Sequence, residues 1–188
     1  MTRGDMKTAT FYQLRKLRQQ YGPGIFGKIT QKLLAIAFYN AGFHHFTERG
    51  VQGADIDVAN PAGEKYALEV KTTDSNAVPL SKENIDALAG RTSDGYVPMI
   101  AALRLQMFED WILADVPLSQ LRPGVIPLSR LRGYRVARLE ERICPAFEEV
   151  VSEHFAAVLS GGERYLLRVL DGKRAAPAQH AGDISGFR

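Results

Sequence analysis

Asp55, Asp57, Glu69 and Lys71 bring three carboxyls and an amine into one short stretch of this chain. They fall within GADIDVANPAGEKYALEVKTT, where Asn60-Pro61-Ala62-Gly63 has turn chemistry, so the flanking pieces Asp55 to Ala59 and Lys65 to Thr72 should pair as an antiparallel hairpin. Side chains alternate along a strand. Ile56 and Val58 should face one way and Asp55 and Asp57 the other, and Leu68 and Val70 should likewise oppose Glu69 and Lys71. Carboxylates and an ammonium then share one face of two adjacent strands, a costly arrangement unless something binds there. A hard divalent cation meets that need. Mg²⁺ takes oxygen ligands and keeps several waters, so one Asp, Glu69 and the carbonyl of Val70 form a natural protein ligand set. Such a cation would hold a phosphate oxygen and acidify its water. Lys71 is placed to orient or deprotonate that water and to offset charge on the phosphorus.

The surrounding sequence shows which helices and strands hold them. Phe11 to Gln20 reads as a short basic helix, ended by the breakers Tyr21-Gly22-Pro23-Gly24. Lys28 to Ala41 carries apolar residues at Ile29, Leu33, Ile36 and Ala37, with Leu34 and Phe38 on the neighbouring stripe, and stops at Gly42: a core helix. An extended piece follows at Phe43 to Thr47. Ser81 can cap a helix through Ala89, with Leu80 and Ile85 as a hydrophobic staple and Gly90 as the stop. Val97 to Leu103 is nearly all apolar, as a central strand should be, and Trp111 to Ala114 gives another. The order helix, three strands, helix, strand, strand describes an α/β domain with a mixed central β-sheet flanked by helices. Beyond Pro117, Pro123 and Pro127, Ala146 to Leu159 looks helical, Tyr165 to Leu170 fits strand or helix, and the Ala, Gly and Pro content from Gly172 onward suggests a flexible tail. The expected organisation is a basic N-terminal helix or arm over 1–24, a core over 25–116, a C-terminal extension with a helix over 117–171, and a tail over 172–188.

Composition narrows the function classes. The chain has 188 residues, 45% hydrophobic and 24% charged, ordinary values for one globular domain. No apolar run approaches the ~20 residues of a membrane span, no secretory leader is recognisable, and the single Cys144 excludes an internal disulfide. A soluble, cytoplasmic protein without a membrane partner is expected. The net charge of +3 is unevenly spread. Residues 1–32 carry Arg3, Lys7, Arg15, Lys16, Arg18, Lys28 and Lys32 against Asp5 alone, and a second basic stretch holds Arg130, Arg132, Arg135 and Arg138. Positive charge concentrated this way could follow a phosphate backbone or simply cover solvated helix faces.

Four segments together resemble the PD-(D/E)xK nuclease superfamily, and within it the archaeal Holliday-junction resolvases. GKITQKLLAIAFYNAGF is similar to the resolvases' Gly-Lys helix, GADIDV to their Asp-bearing strand, LEVKTT to their Glu-x-Lys strand and GYVPMIAALR to a later core strand, a likeness running from about Gly27 to Asp115. The resemblance implies a restriction-endonuclease-like core and a Mg²⁺-dependent DNA phosphodiesterase, with Mn²⁺ able to substitute. It implies Glu69 and an Asp as ligands, Lys71 as base or stabiliser, and a homodimer with one active site per subunit.

Two departures matter. The family's helix usually carries a Glu on the fourth residue after its Gly, where this chain has Gln31. Gln31 should still point inward, either holding a water on the cation or as a buried, hydrogen-bonded amide. The acid is also doubled. Asp55 aligns better by its preceding Gly53-Ala54, Asp57 by its distance from the turn, and Asp57 is preferred as principal ligand. Lys28, Lys32, Arg15, Lys16 and Arg18 are expected on the DNA backbone. Thr72 and Thr73 could bond phosphate or serve strand propensity, and Lys82 and Arg91 could line the groove or face solvent. His44 and His45 lack further ligands at zinc spacing, and Trp111 and Cys144 read as core. The same core serves structure-selective nucleases, restriction or defence endonucleases and inactive DNA-binding modules, so all three readings stand at this point.

Overall fold

A computed structural model of the chain describes residues 2–48, 54–107 and 109–175. The first helix, α1, runs Arg3–Asn40 and opens with a capping box in which Thr2 and Asp5 satisfy each other's backbone amides. It is one long helix with a kink where two elements were expected. Gly22 (φ 71) sits before Pro23, whose ring disfavours a helical residue ahead of it and which offers no amide to the helix ladder. Five strands follow the helix order anticipated above: β1 His45–Glu48, β2 Ile56–Ala59, β3 Lys65–Thr73, β5 Val97–Arg104 and β6 Ile112–Ala114. They form one mixed sheet in the order β1-β2-β3-β5-β6, with β3 and β5 parallel and the other neighbours antiparallel. Helix α2, Lys82–Thr92, connects β3 to β5 by way of a short strand β4, Ala77–Leu80.

The last helix, α4, spans Ala137–Ala175, so Ala146–Leu159 and Tyr165–Leu170 belong to one helix, and Gly172 to Ala175, expected in the tail, are its last turn. The rest of the expected tail, 176–188, lies outside the described residues. Helix α4 is kinked at Gly162 (φ 57), level with the kink of α1: a Cβ on Gly162 would sit 3.3 Å from the Tyr21 ring, and the Tyr21 hydroxyl donates to Val158 O and Leu159 O. The two helices run side by side over one face of the sheet. There Leu14, Leu17, Leu33, Phe38, Leu68, Met99, Trp111, Phe147 and Leu166 form the larger core. The basic N-terminal segment is helical and is packed through Leu14 and Leu17 onto the rest. Its burial of these side chains at about 1.5–3 kcal/mol each fixes the positive charge in position.

The other face carries a smaller core of Ala67, Leu88, Ile100, Ile112, Ile126 and Leu131 under α2, β4, β7 (Gly124–Pro127) and the short helix α3 (Leu128–Arg132). Strands β4 and β7 pair as a separate two-stranded sheet that the sequence did not announce. No helix among the described residues is long and apolar enough to cross a membrane.

Candidate active site

The register of β2 and β3, with Asp57 opposite Ala67 and Ile56 opposite Leu68, puts Glu69 and Lys71 on the α2 side of the sheet, where β2 begins. Lys71 Nζ lies 2.7 Å from Glu69 Oε1. Glu69 is 2% exposed, and its second oxygen, Oε2, is buried with no hydrogen-bond partner. Burial, and then the charge of Asp55, lift the Glu69 carboxyl from its ordinary value of 4.5 to about 7, against the pull of Lys71. Burial likewise raises Asp55, although the Val70 amide and the charges of Lys71 and Lys32 oppose it. The Asp55 carboxylate is held by the Val70 N–H, which donates to Oδ2 at 2.7 Å. Gln31 Nε2 donates to the Asp55 carbonyl at 3.0 Å, so the helix reaches the site where the sequence placed it.

The doubled acid separates by its surroundings. Asp57 is 2% exposed and its Oδ2 lies 3.0 Å from Arg91 Nε on α2. Arg91 itself stacks over the Tyr96 ring at 4.4 Å. Asp57 is thus charge-matched inside the fold, and Asp55 is the acid that neighbours Glu69 and Lys71. The sequence-based preference for Asp57 is not what the geometry favours, and Arg91, 15% exposed, pairs with Asp57 and Asp94.

Several expected DNA contacts also change. Lys32 is buried between Glu48 (3.2 Å) and Glu163 (3.0 Å), tying α1 to β1 and α4, and it cannot reach a phosphate without breaking both pairs. Lys28 is exposed one turn from Gln31, and Arg15 and Lys16 are exposed further along α1. Arg18 pairs with Asp74 just past the end of β3. Thr73 Oγ1 donates to Ala77 O and accepts the Ser75 N–H, closing the turn into β4, whereas Thr72 is half-buried. Lys82 is exposed and pairs with Asp86 on its own helix. In the second basic stretch, Arg130 donates to Gln120 O and Arg132 and Arg135 pair with Glu109 and Glu140. Cys144 is buried, and burial pushes its thiol up to about 12, an inert core residue. One contact had no sequence signal: Lys71 Nζ also donates to Asn84 Oδ1 of α2 at 3.3 Å.

The residues present fit a hard cation. Two desolvated carboxylates stand side by side, and a buried oxygen of one has no donor. Mg²⁺ is commonly held by one or two carboxylates with waters, and among the described residues no cluster of three or more His, Cys, Asp or Glu forms.

A consequence is measurable without DNA. A carboxyl raised from 4.5 to about 7 contributes stability that is full below its unfolded value and lost as pH rises through about 7. Metal-free protein should therefore be less stable at pH 8 than at pH 5, with Glu69 contributing about 2–3 kcal/mol of the difference. Urea midpoints in EDTA check this: Glu69→Gln should remove most of the pH dependence, and an unaltered slope would contradict the burial argument.

No family model and no curated protein matches the chain. Its structure is similar to that of Hjc, a Holliday junction resolvase from the archaeal hyperthermophile Archaeoglobus fulgidus, at 18% identity over 62% of this chain and 96% of that one, with a TM-score of 0.49.

Proposed function

We propose that this chain is a divalent-cation-dependent DNA endonuclease whose active site is Asp55, Glu69 and Lys71. The observation that carries the reading is the pair of desolvated carboxylates, one with an orphaned buried oxygen, beside a lysine on the same strand. Mg²⁺, or Mn²⁺ in its place, would be held by Asp55, Glu69 and the Val70 carbonyl, and would supply a Lewis acid for the phosphate. The chain's own residues do the rest. Lys71 orients or deprotonates the attacking water and offsets negative charge on the phosphate, held by Glu69 for that purpose. Gln31 anchors the Asp55 backbone, and the Val70 amide fixes the Asp55 carboxylate. Lys28, Arg15, Lys16 and Arg18 along α1 give the DNA backbone a basic track leading away from the site, contacts that set position without reading sequence.

The finer reading, from the sequence resemblance, is a cytoplasmic homodimer acting on branched DNA. The test is cleavage of four-way junction, linear duplex and supercoiled plasmid with Mg²⁺ or Mn²⁺, beside sedimentation at micromolar concentration. Junction-selective cleavage by a dimer is expected. Cleavage of all three alike by a monomer would replace the resolvase reading with a general or defence nuclease, and no cleavage under any condition would contradict the nuclease reading itself.

Gln31→Glu exchanges the donor on the Asp55 carbonyl for a carboxylate next to the residue that carries one of the two site carboxylates. Mg²⁺ affinity by calorimetry should rise, because a divalent cation relieves the added repulsion. An unchanged or lower affinity would show that position 31 does not face the cation.

A further inference from the structure

Lys71 ends in a nitrogen that is mostly enclosed: its side chain is 22% exposed, and two acceptors meet it, Glu69 Oε1 at 2.7 Å and Asn84 Oδ1 at 3.3 Å. Asn84 belongs to a different element, the first turn of α2. Its Oδ1 also accepts the Ser81 N–H at 3.0 Å, while Ser81 Oγ accepts the Asn84 N–H at 3.2 Å. The third residue of this capping box would serve the helix as well if it were Glu or Gln. Asn is the shorter choice, and its carbonyl oxygen joins the helix start to the lysine.

We infer that Asn84 is a positioning residue for Lys71, coupling the capped start of α2 to the direction in which the amine points. This rests on the nuclease reading. A tetrahedral amine with two substituent directions taken by Glu69 and Asn84 has its remaining direction, whether N–H or lone pair, fixed toward what lies in front of the site. A carboxylate at position 84 would hold the amine too but would add charge next to Glu69 and Asp55. The neutral amide orients without that repulsion, and by accepting from Ser81 it is itself held still.

The test compares Asn84→Ala with Ser81→Ala, which breaks the same cap from its other half without touching Lys71. Asn84→Ala should lower kcat by about 10- to 100-fold with KM little changed, the scale of a misplaced catalytic group. Ser81→Ala should leave kcat within about threefold, since capping loss alone weakens the helix and not the aim of the amine. A second readout needs no activity: in metal-free protein with ¹³C-labelled lysine, the Lys71 Cε signal should move in Asn84→Ala and stay in place in Ser81→Ala. An active wild type with equal kcat in both variants, or a Lys71 signal that Asn84→Ala leaves unmoved, would overturn the role of Asn84 alone. A wild type inert on every DNA with Mg²⁺ and Mn²⁺ would overturn the nuclease reading, and this role with it.

Discussion

Glu69→Ala and Lys71→Ala should each lower Mg²⁺-dependent DNA cleavage by about 10²–10⁴-fold, the range of a lost acid–base or charge-stabilising group. DNA affinity in the same preparations should change by less than about threefold, because phosphate binding depends on the number of cations along the backbone and Lys71 is only one of them. Removing Glu69 withdraws the carboxylate with the orphaned oxygen and also leaves Lys71 held by Asn84 alone. Removing Lys71 leaves two carboxylates in a desolvated site with less opposing charge, so its Mg²⁺ affinity should be kept or raised while turnover is lost. Gel-shift titration beside single-turnover cleavage separates these effects. Activity near that of the wild type in either variant would remove the residue from the site.

The second large effect distinguishes the two aspartates by kind. Asp55→Asn should abolish cleavage and leave the fold stable, since the amide can still accept the Val70 N–H and the site sheds a raised carboxyl. Asp57→Ala should do the reverse. It removes the buried one of the two carboxylates paired with Arg91, leaving only the exposed Asp94, so the melting temperature should fall by several degrees. Folded Asp57→Ala protein, assayed below its melting point, should still cleave. If instead Asp57→Ala is stable and inactive while Asp55→Asn keeps its activity, the assignment of the ligand acid is inverted.

These aspartates also show how far a sequence can be read. Strand alternation puts Asp55 and Asp57 on one face, and no local pattern ranks them; Asp57 is paired with Arg91, more than thirty residues away on α2. The hairpin, the core helix and the order of the elements along the chain were legible because burial writes a period of two or 3.6 into the residues. Lys32 was legible too, in principle. It falls three residues after Ile29 and four before Ile36, on the apolar stripe, so helical periodicity already places it in the interior where Glu48 and Glu163 meet it. Gly22-Pro23 has the residues of a terminator and produces only a kink, because α4 bends at the same level and Tyr21 packs against Gly162. Strands β4 and β7 were hidden by their length of four residues each, by Pro79 and Pro127, and by a partner far along the chain. Asn84 was hidden for a related reason: its local pattern explains a helix cap completely, and only the tertiary fold brings Lys71 to it.

The most direct test of the account is an anomalous difference map from crystals of the wild-type protein grown with Mn²⁺. One strong peak is expected within coordination distance of Asp55 and Glu69, beside the Val70 carbonyl and away from the Asp57–Arg91 pair. A peak on Asp57, or no peak at Asp55 and Glu69 in a protein whose DNA cleavage depends on Mn²⁺, would contradict it.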